Sequence, residues 1–208
     1  MTSLSTVFFE THLPDLNVSR ETIFNFETYF NLLSQWNKAI ALVQEKTLNE
    51  FATRHIIDSL QIASLIEELN SSIIDLGTGA GFPGLVLAMY GFSNVTLVES
   101  IRKKTLFLNE VARLTNTNVT IKNERAEAIN EKFDFILSRA CSSLTNLLLL
   151  MHNVSRETST GIFHKGASVS KEIEEAKLKW TFDYELRDSV TDKEAKIIIV
   201  RNVGKKYG

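Results

Sequence analysis

The 208-residue chain is expected to fold as an α/β protein: a doubly wound, seven-stranded, mostly parallel sheet with a terminal antiparallel hairpin, plus an N-terminal helical cap. Three observations predict this. After residue 72, short apolar runs alternate with stretches of helical period, as in a parallel sheet with helices on both faces. The first run feeds a loop with four glycines in eight residues, Gly77 to Gly84. The last two runs, Phe182–Leu186 and Ala195–Val200, are joined by a short polar turn with Asp188, Asp192 and Lys193. That turn leaves no room for a crossover helix, so the two strands must run antiparallel.

The elements follow in order. From Ser19 to about Ala41, Ile23, Phe26, Phe30, Leu33, Trp36 and Ile40 recur at three- and four-residue steps, predicting an amphipathic helix. A second helix is expected from about Leu48 to Glu68, burying Phe51, Ile56, Leu60, Ala63 and Ile66. Residues 1–70 therefore read as the cap and 71–208 as the sheet domain. Strands are expected near 72–76, 94–98, 118–122, 133–138, 160–165, 182–186 and 195–201, and helices near 83–90, 101–114, 143–154 and 169–178.

Function concentrates in Ile73-Ile74-Asp75-Leu76-Gly77-Thr78-Gly79-Ala80-Gly81-Phe82-Pro83-Gly84. Glycine tolerates positive φ and lets a ligand approach the backbone. The following helix offers unpaired N–H groups and the positive end of its dipole. Strand, glycine-rich loop and helix together make a nucleotide-cofactor site. Gly79-x-Gly81-x-x-Gly84 also fits the dinucleotide spacing, but Asp75 at the end of the strand would repel a pyrophosphate. S-adenosyl-L-methionine has no phosphate and carries an ammonium and a sulfonium, which a carboxylate attracts. Glu99, closing the run Val95–Val98, stands where an acid accepts ribose hydroxyls. That contact is common to both cofactors. The terminal hairpin is a second argument against an NAD(P)-linked oxidoreductase, which remains the rival class.

Composition narrows the partners. Hydrophobic residues make up 44% and charged residues 23%, ordinary for a globular enzyme with a sizeable core. Net charge is −2, so any nucleic-acid contact must come from local patches such as Arg102-Lys103-Lys104, Arg125, Arg139, Lys165 or Arg201 to Lys206. No apolar run approaches the ~20 residues of a membrane helix. The start, Met1 to Thr6, lacks a basic region followed by an apolar one, so a cytoplasmic location is expected. Cys141 is the single cysteine, and His12, His55, His152 and His164 show no metal-ligand spacing, so neither a disulfide nor a metal is expected.

From about Phe26 to Val203 the chain resembles the RsmG (GidB) family of bacterial small-subunit rRNA guanine-N7 methyltransferases. The resemblance is carried by Trp36-Asn37, Arg54-His55-x-x-Asp58-Ser59-Leu60, the Asp75–Gly84 loop, Arg125-Ala126-Glu127, Ser138-Arg139-Ala140 and His164-Lys165-Gly166. It implies a class I S-adenosylmethionine-dependent methyltransferase with a Rossmann-like sheet, acting on N7 of a guanine in the 530 loop of 16S rRNA, free or in the small ribosomal subunit; a monomer is the default expectation. It further implies donor contacts at Gly77, Phe82, Ala126, Glu127 and Arg139, beside Asp75, Gly79, Gly81 and Glu99 from the loop and strand reading. Two departures stand out: Ala80 where the family most often has proline, and Lys38-Ala39-Ile40-Ala41-Leu42-Val43 after Trp36-Asn37, where it typically has Asn-Leu-Thr; the second is not expected to touch the cofactor site.

Guanine N7 has an in-plane lone pair and no proton, so attack on a sulfonium methyl needs no general base. Positioning supplies most of the acceleration. Arg139 and Lys165, each ending a strand, are expected to position the substrate by binding RNA phosphate or guanine O6 while leaving N7 free. Arg54 with Asp58, and His55 with Ser59, are spaced four apart on a helix and can equally well pair structurally or help close the site.

Overall fold

In a computed structural model, residues 4–139 and 142–206 are described. Ala140 of the Ser-Arg-Ala motif, Cys141 and the first three residues lie outside the described residues. The elements are α1 (Thr6–His12), α2 (Arg20–Trp36), α3 (Glu45–Leu48), a π-helical turn (Ala52–Ile57), α4 (Asp58–Leu60), a 3-10 turn (Ala63–Leu65), β1 (Ile73–Leu76), α5 (Gly84–Tyr90), β2 (Val95–Val98), α6 (Arg102–Leu114), β3 (Thr120–Lys122), a 3-10 turn (Ala126–Ala128), β4 (Phe133–Arg139), α7 (Leu144–Val154), β5 (Ser155–Lys165), α8 (Val169–Lys177), β6 (Trp180–Asp188) and β7 (Lys196–Lys205).

The seven strands form one sheet in the order β3-β2-β1-β4-β5-β7-β6. The first five are parallel, and β7 runs antiparallel to both β5 and β6. This is the mostly parallel sheet with a terminal hairpin that the sequence predicts. Its order reverses between β1 and β4, and in open α/β sheets ligands bind beyond the strand ends at such a switch.

Both faces of the central strands are buried, so neighbouring residues serve different cores. Ile73, Leu97, Leu137, Ile162 and Ile199 pack with α1, α2, α5 and α6. Ile74, Val98, Ile136, Phe163 and Ile198 pack with α7 and α8. Phe9, Phe26 and Leu33 of the N-terminal helices join the first of these cores, so residues 4–70 are packed continuously onto the sheet.

Two helices differ from expectation. The helix expected through Ala41 stops at Trp36. Asn37 ends it, because its side-chain oxygen accepts from the N–H groups of Leu42 and Val43, both at 2.9 Å. The helix expected from Leu48 to Glu68 is broken into α3, the π-helical turn, α4 and a 3-10 turn. Backbone carbonyls there serve the sheet: Arg54 O accepts from Arg139 Nη1 at 3.1 Å and Asp58 O from His164 Nε2 at 2.8 Å. A regular α-helix would reserve those oxygens for its own ladder, and π-turns frequently mark functional sites. Among the described residues no helix is long and apolar enough to cross a membrane.

Candidate functional site

β1 ends in Asp75, which is fully buried behind the loop. Its Oδ2 accepts from Thr78 Oγ1 at 2.6 Å and from the Gly84 N–H at 2.9 Å. Asp75 thus ties the strand end to the loop and to the first turn of α5. Burial, opposed by these two bonds, pushes its carboxyl up to about 6. It is not among the residues that line the cavity in front of the loop. Oδ2 therefore fixes the loop, while the buried Oδ1 has no hydrogen-bond partner among the described residues.

The glycines divide in the same way. Gly77 and Gly79 have φ of 68° and 63° and line the cavity. A Cβ on Gly79 would meet nothing closer than 4.0 Å, so its open side faces free space. Gly81 has φ of 106°, and a Cβ there would come within 2.9 Å of Leu85 and of the Tyr29 hydroxyl. Gly81 is needed for packing. Gly84 is tighter still, with a Cβ falling 2.5 Å from Leu97.

This first cavity encloses about 520 Å³ and is lined by Gly77, Gly79, Phe82, Glu99, Ala126, Glu127 and Arg139, among others. Glu99 ends β2 with Oε1 accepting from the Ile101 N–H at 2.8 Å. No described residue donates to its second oxygen, which stays available to a diol. Ala126 and Glu127 sit on the 3-10 turn after β3. Phe82 is buried, stacked on Tyr29 with ring centroids 5.2 Å apart and on His55 at 4.6 Å. Cavity-lining backbone at Gly77, open space at Gly79, a half-free carboxylate after the second strand and a polar turn after the third fit an adenosine bearing an amino-acid tail.

Sequence reasoning did not place Leu42, Val43 or Tyr29 at the site. Leu42 and Val43 line the cavity because Asn37 folds their segment over it. The segment that departs from the family pattern, residues 38–43, therefore reaches the cavity wall after all, through Leu42 and Val43 and not through residues 38–41. Tyr29 donates to the Ala80 carbonyl, bracing the loop from behind. Asn37 was the available signal for the first pair; nothing local marks Tyr29.

A second cavity of about 580 Å³ adjoins the first and shares Arg139 and Ser142 with it. It is lined further by Asp58, His164, Lys165, Glu172, Thr191 and Asp192. Arg139 forms the partition. Its Nη1 donates to Asp58 Oδ2 at 2.9 Å and to Arg54 O, its Nη2 donates to His55 Nδ1 at 3.1 Å, and its guanidinium lies 4.7 Å from the Phe82 ring centre. Among the described residues, three of its five N–H donors have an acceptor. Because His55 Nδ1 accepts, Nε2 carries the proton and donates to Thr47 Oγ1 at 3.0 Å. Burial and the Arg139 charge hold His55 neutral, down to about 3. Burial also lowers His164. Burial works to raise Asp58, but His164, Arg139 and the Arg139 and Thr191 hydrogen bonds outweigh it and hold the carboxyl below its usual value. Lys165 pairs with Glu172 at 2.6 Å and donates to Ser142 O at 2.8 Å, so it lines the second cavity only.

A family model described as GidB, rRNA small subunit methyltransferase G, matches residues 22–202. Curated relatives named ribosomal RNA small subunit methyltransferase G include one from Rickettsia felis, 37% identical over 91% of this chain and 98% of its own length. Another, from Rickettsia bellii, is 34% identical over the same shares. Among solved structures, a ribosomal protein L11 methylase from Lactobacillus delbrueckii subsp. bulgaricus aligns over 73% of this chain and 78% of its own, with a TM-score of 0.56 at 16% identity. A fibrillarin/Nop5p complex aligns over 71% and 80%, with a TM-score of 0.55 at 15% identity. These two show the fold alone.

Proposed function

The chain belongs to the GidB family, the rRNA small subunit methyltransferases G, and from that premise we propose that it methylates N7 of a guanine in the 530 loop of 16S rRNA, acting as a cytoplasmic monomer. S-adenosyl-L-methionine is the methyl donor. Residues 71–208 carry the reaction and residues 1–70 cap it. The observation that carries this reading is the meeting of a cavity lined by Gly77, Gly79, Glu99, Ala126 and Glu127 with a second cavity at Arg139.

In the first cavity Gly77 and Gly79 present their backbone, Glu99 accepts the ribose hydroxyls, and Ala126 with Glu127 read the adenine. Asp75 and Gly81 act from behind by fixing the loop. The bound donor supplies an electrophilic methyl group. In the second cavity Arg139 uses its remaining donors to orient the guanine, and Lys165, neutralised by Glu172, adds a donor without a large net charge. Guanine N7 has no proton to lose, so the residues need only align the base, exclude water and keep any contact to O6 from covering the N7 lone pair. The antiparallel β6–β7 pair supports this reading against an NAD(P)-linked oxidoreductase.

The test is methyl incorporation from labelled S-adenosylmethionine into small-subunit rRNA and 30S particles from a strain lacking the modification. The base is then mapped by cleavage selective for 7-methylguanine. One labelled guanine in the 530 loop is expected. Donor binding without incorporation into either form would discard the rRNA acceptor and leave another acceptor to be found.

A further inference from the structure

Asp58 touches more of the second cavity's frame than any contact in the donor loop requires. Oδ2 accepts from Arg139 Nη1 at 2.9 Å, and Oδ1 accepts from Gln61 Nε2 at 2.9 Å and Thr191 Oγ1 at 2.8 Å. Its backbone carbonyl accepts from His164 Nε2. One residue of the broken helix thus binds the ends of β4 and β5 and the loop between β6 and β7. Arg54, on the preceding π-helical turn, reaches the same loop through Asp192 at 2.9 Å. Both Asp58 and Arg139 side chains are mostly buried, 16% and 17% exposed, so their pairing is little screened by water.

We propose that Asp58 is a positioning residue for methyl transfer, holding the Arg139 guanidinium on the partition between the two cavities and fixing it relative to the Thr191–Asp192 loop that walls the acceptor side. This rests on the functional reading above. Asp58 lines the acceptor cavity but not the donor cavity, so it acts on the reaction through Arg139.

Asp58→Asn tests it with nearly unchanged volume. An amide keeps one accepting oxygen, so either Arg139 or the Thr191–Gln61 pair loses its acceptor. The expected result is a drop in kcat on the order of 10²-fold, the scale of a misplaced reacting geometry, with little change in the KM for donor. In combination with Arg139→Ala, the Asp58→Asn change should add almost nothing, because its effect passes through the missing guanidinium. Thr191→Val, a milder change, should lower kcat in the same direction by less, and it serves if Asp58→Asn folds poorly. Independently of activity, nitrogen-15 NMR should find rotation of the Arg139 guanidinium slow in the unaltered protein and faster in Asp58→Asn. The proposal is overturned if the double variant's loss is the product of the two single losses, or if the Arg139 signal is unmoved by either substitution. If the unaltered protein transfers no methyl to rRNA, the acceptor reading fails by itself, and the NMR comparison still decides whether Asp58 holds Arg139.

Discussion

The two cavities that meet at Arg139 are held by different means. The donor side is a local device: Asp75, Thr78 and Gly84, within ten residues, close a ring of short hydrogen bonds around a buried carboxyl. The side proposed to take the acceptor is assembled from distant segments, with Arg54, Asp58, Arg139, His164, Lys165, Glu172, Thr191 and Asp192 joined by ion pairs and hydrogen bonds. A local device is sensitive to backbone space. An assembled one is sensitive to charge. The difference teaches where each half fails.

Arg139→Ala should produce the largest effect, because it removes the guanidinium that stands between the two halves and ties them together. Methyl transfer is expected to fall on the order of 10²-fold or more, and thermal stability should fall with it, since Asp58 then loses its cation. Labelled-methyl kinetics beside a melting curve check both. Full activity in this variant would break the distinction between the halves.

Gly84→Ala probes the local device. The added Cβ would lie 2.5 Å from Leu97 and 2.8 Å from the Asp75 Cβ, and overpacking of this kind costs about 1–3 kcal/mol. Urea denaturation should show that loss. A variant as stable as the parent would mean that α5 can shift away from the sheet without penalty.

Acidification should separate the halves. His55 is lowered from 6.5 to about 3, and His164 is lowered too, so the unfolded chain binds protons that the native acceptor side refuses. The stability they contribute is present above pH 6.5 and is lost as pH falls, at up to about 1.4 kcal/mol per pH unit for each. Asp75 acts in the opposite sense. Its folded value of about 6 lies above the ordinary 3.8, so its contribution is full below 3.8 and is lost as pH rises through 6. Stability measured by urea unfolding should therefore fall as pH drops below 6.5, with Asp75 offsetting about one histidine between 6 and 3.8. His55→Asn should reduce the slope. An unchanged slope would place the proton uptake elsewhere.

The smallest effect is expected from Glu99→Gln. It keeps the bond from Ile101 but removes the charge from the half-free carboxylate, weakening donor affinity by about tenfold, the loss of one charge-assisted hydrogen bond. Calorimetric titration with S-adenosylmethionine measures it. Unchanged affinity would take Glu99 out of the donor contacts.

The same contrast explains what could be read from the sequence. Strand order and the terminal hairpin follow from apolar runs and a turn too short for a helix. The donor loop is legible because its glycines, acid and proline are contiguous. Asp75 is legible as a residue, but spacing cannot show that Oδ2 turns back onto Thr78 and Gly84 while Oδ1 is left without a partner among the described residues. The helix expected over residues 48–68 failed because periodicity does not register that His164 and Arg139, far along the chain, take carbonyls from it. Asp58 and Arg54 looked like a surface pair four residues apart, yet each binds a different distant partner. Glu172 and Thr191 carry no local mark at all, and only the folded sheet brings them to the cavity.

The order of the sheet also sets a timetable for synthesis. β6 has β7 as its sole neighbour in the sheet, although it leaves the ribosome first. Until β7 emerges and inserts, the edge of β5 lies bare and β6 has nothing to pair with, so the nascent chain carries two unsatisfied edges. β7 brings Ile197 to Val200, all buried, and its arrival joins the edges in one step. The wall made by Ala195, Lys196 and Ile197 closes at that moment, so the acceptor pocket is among the last parts of the enzyme to exist.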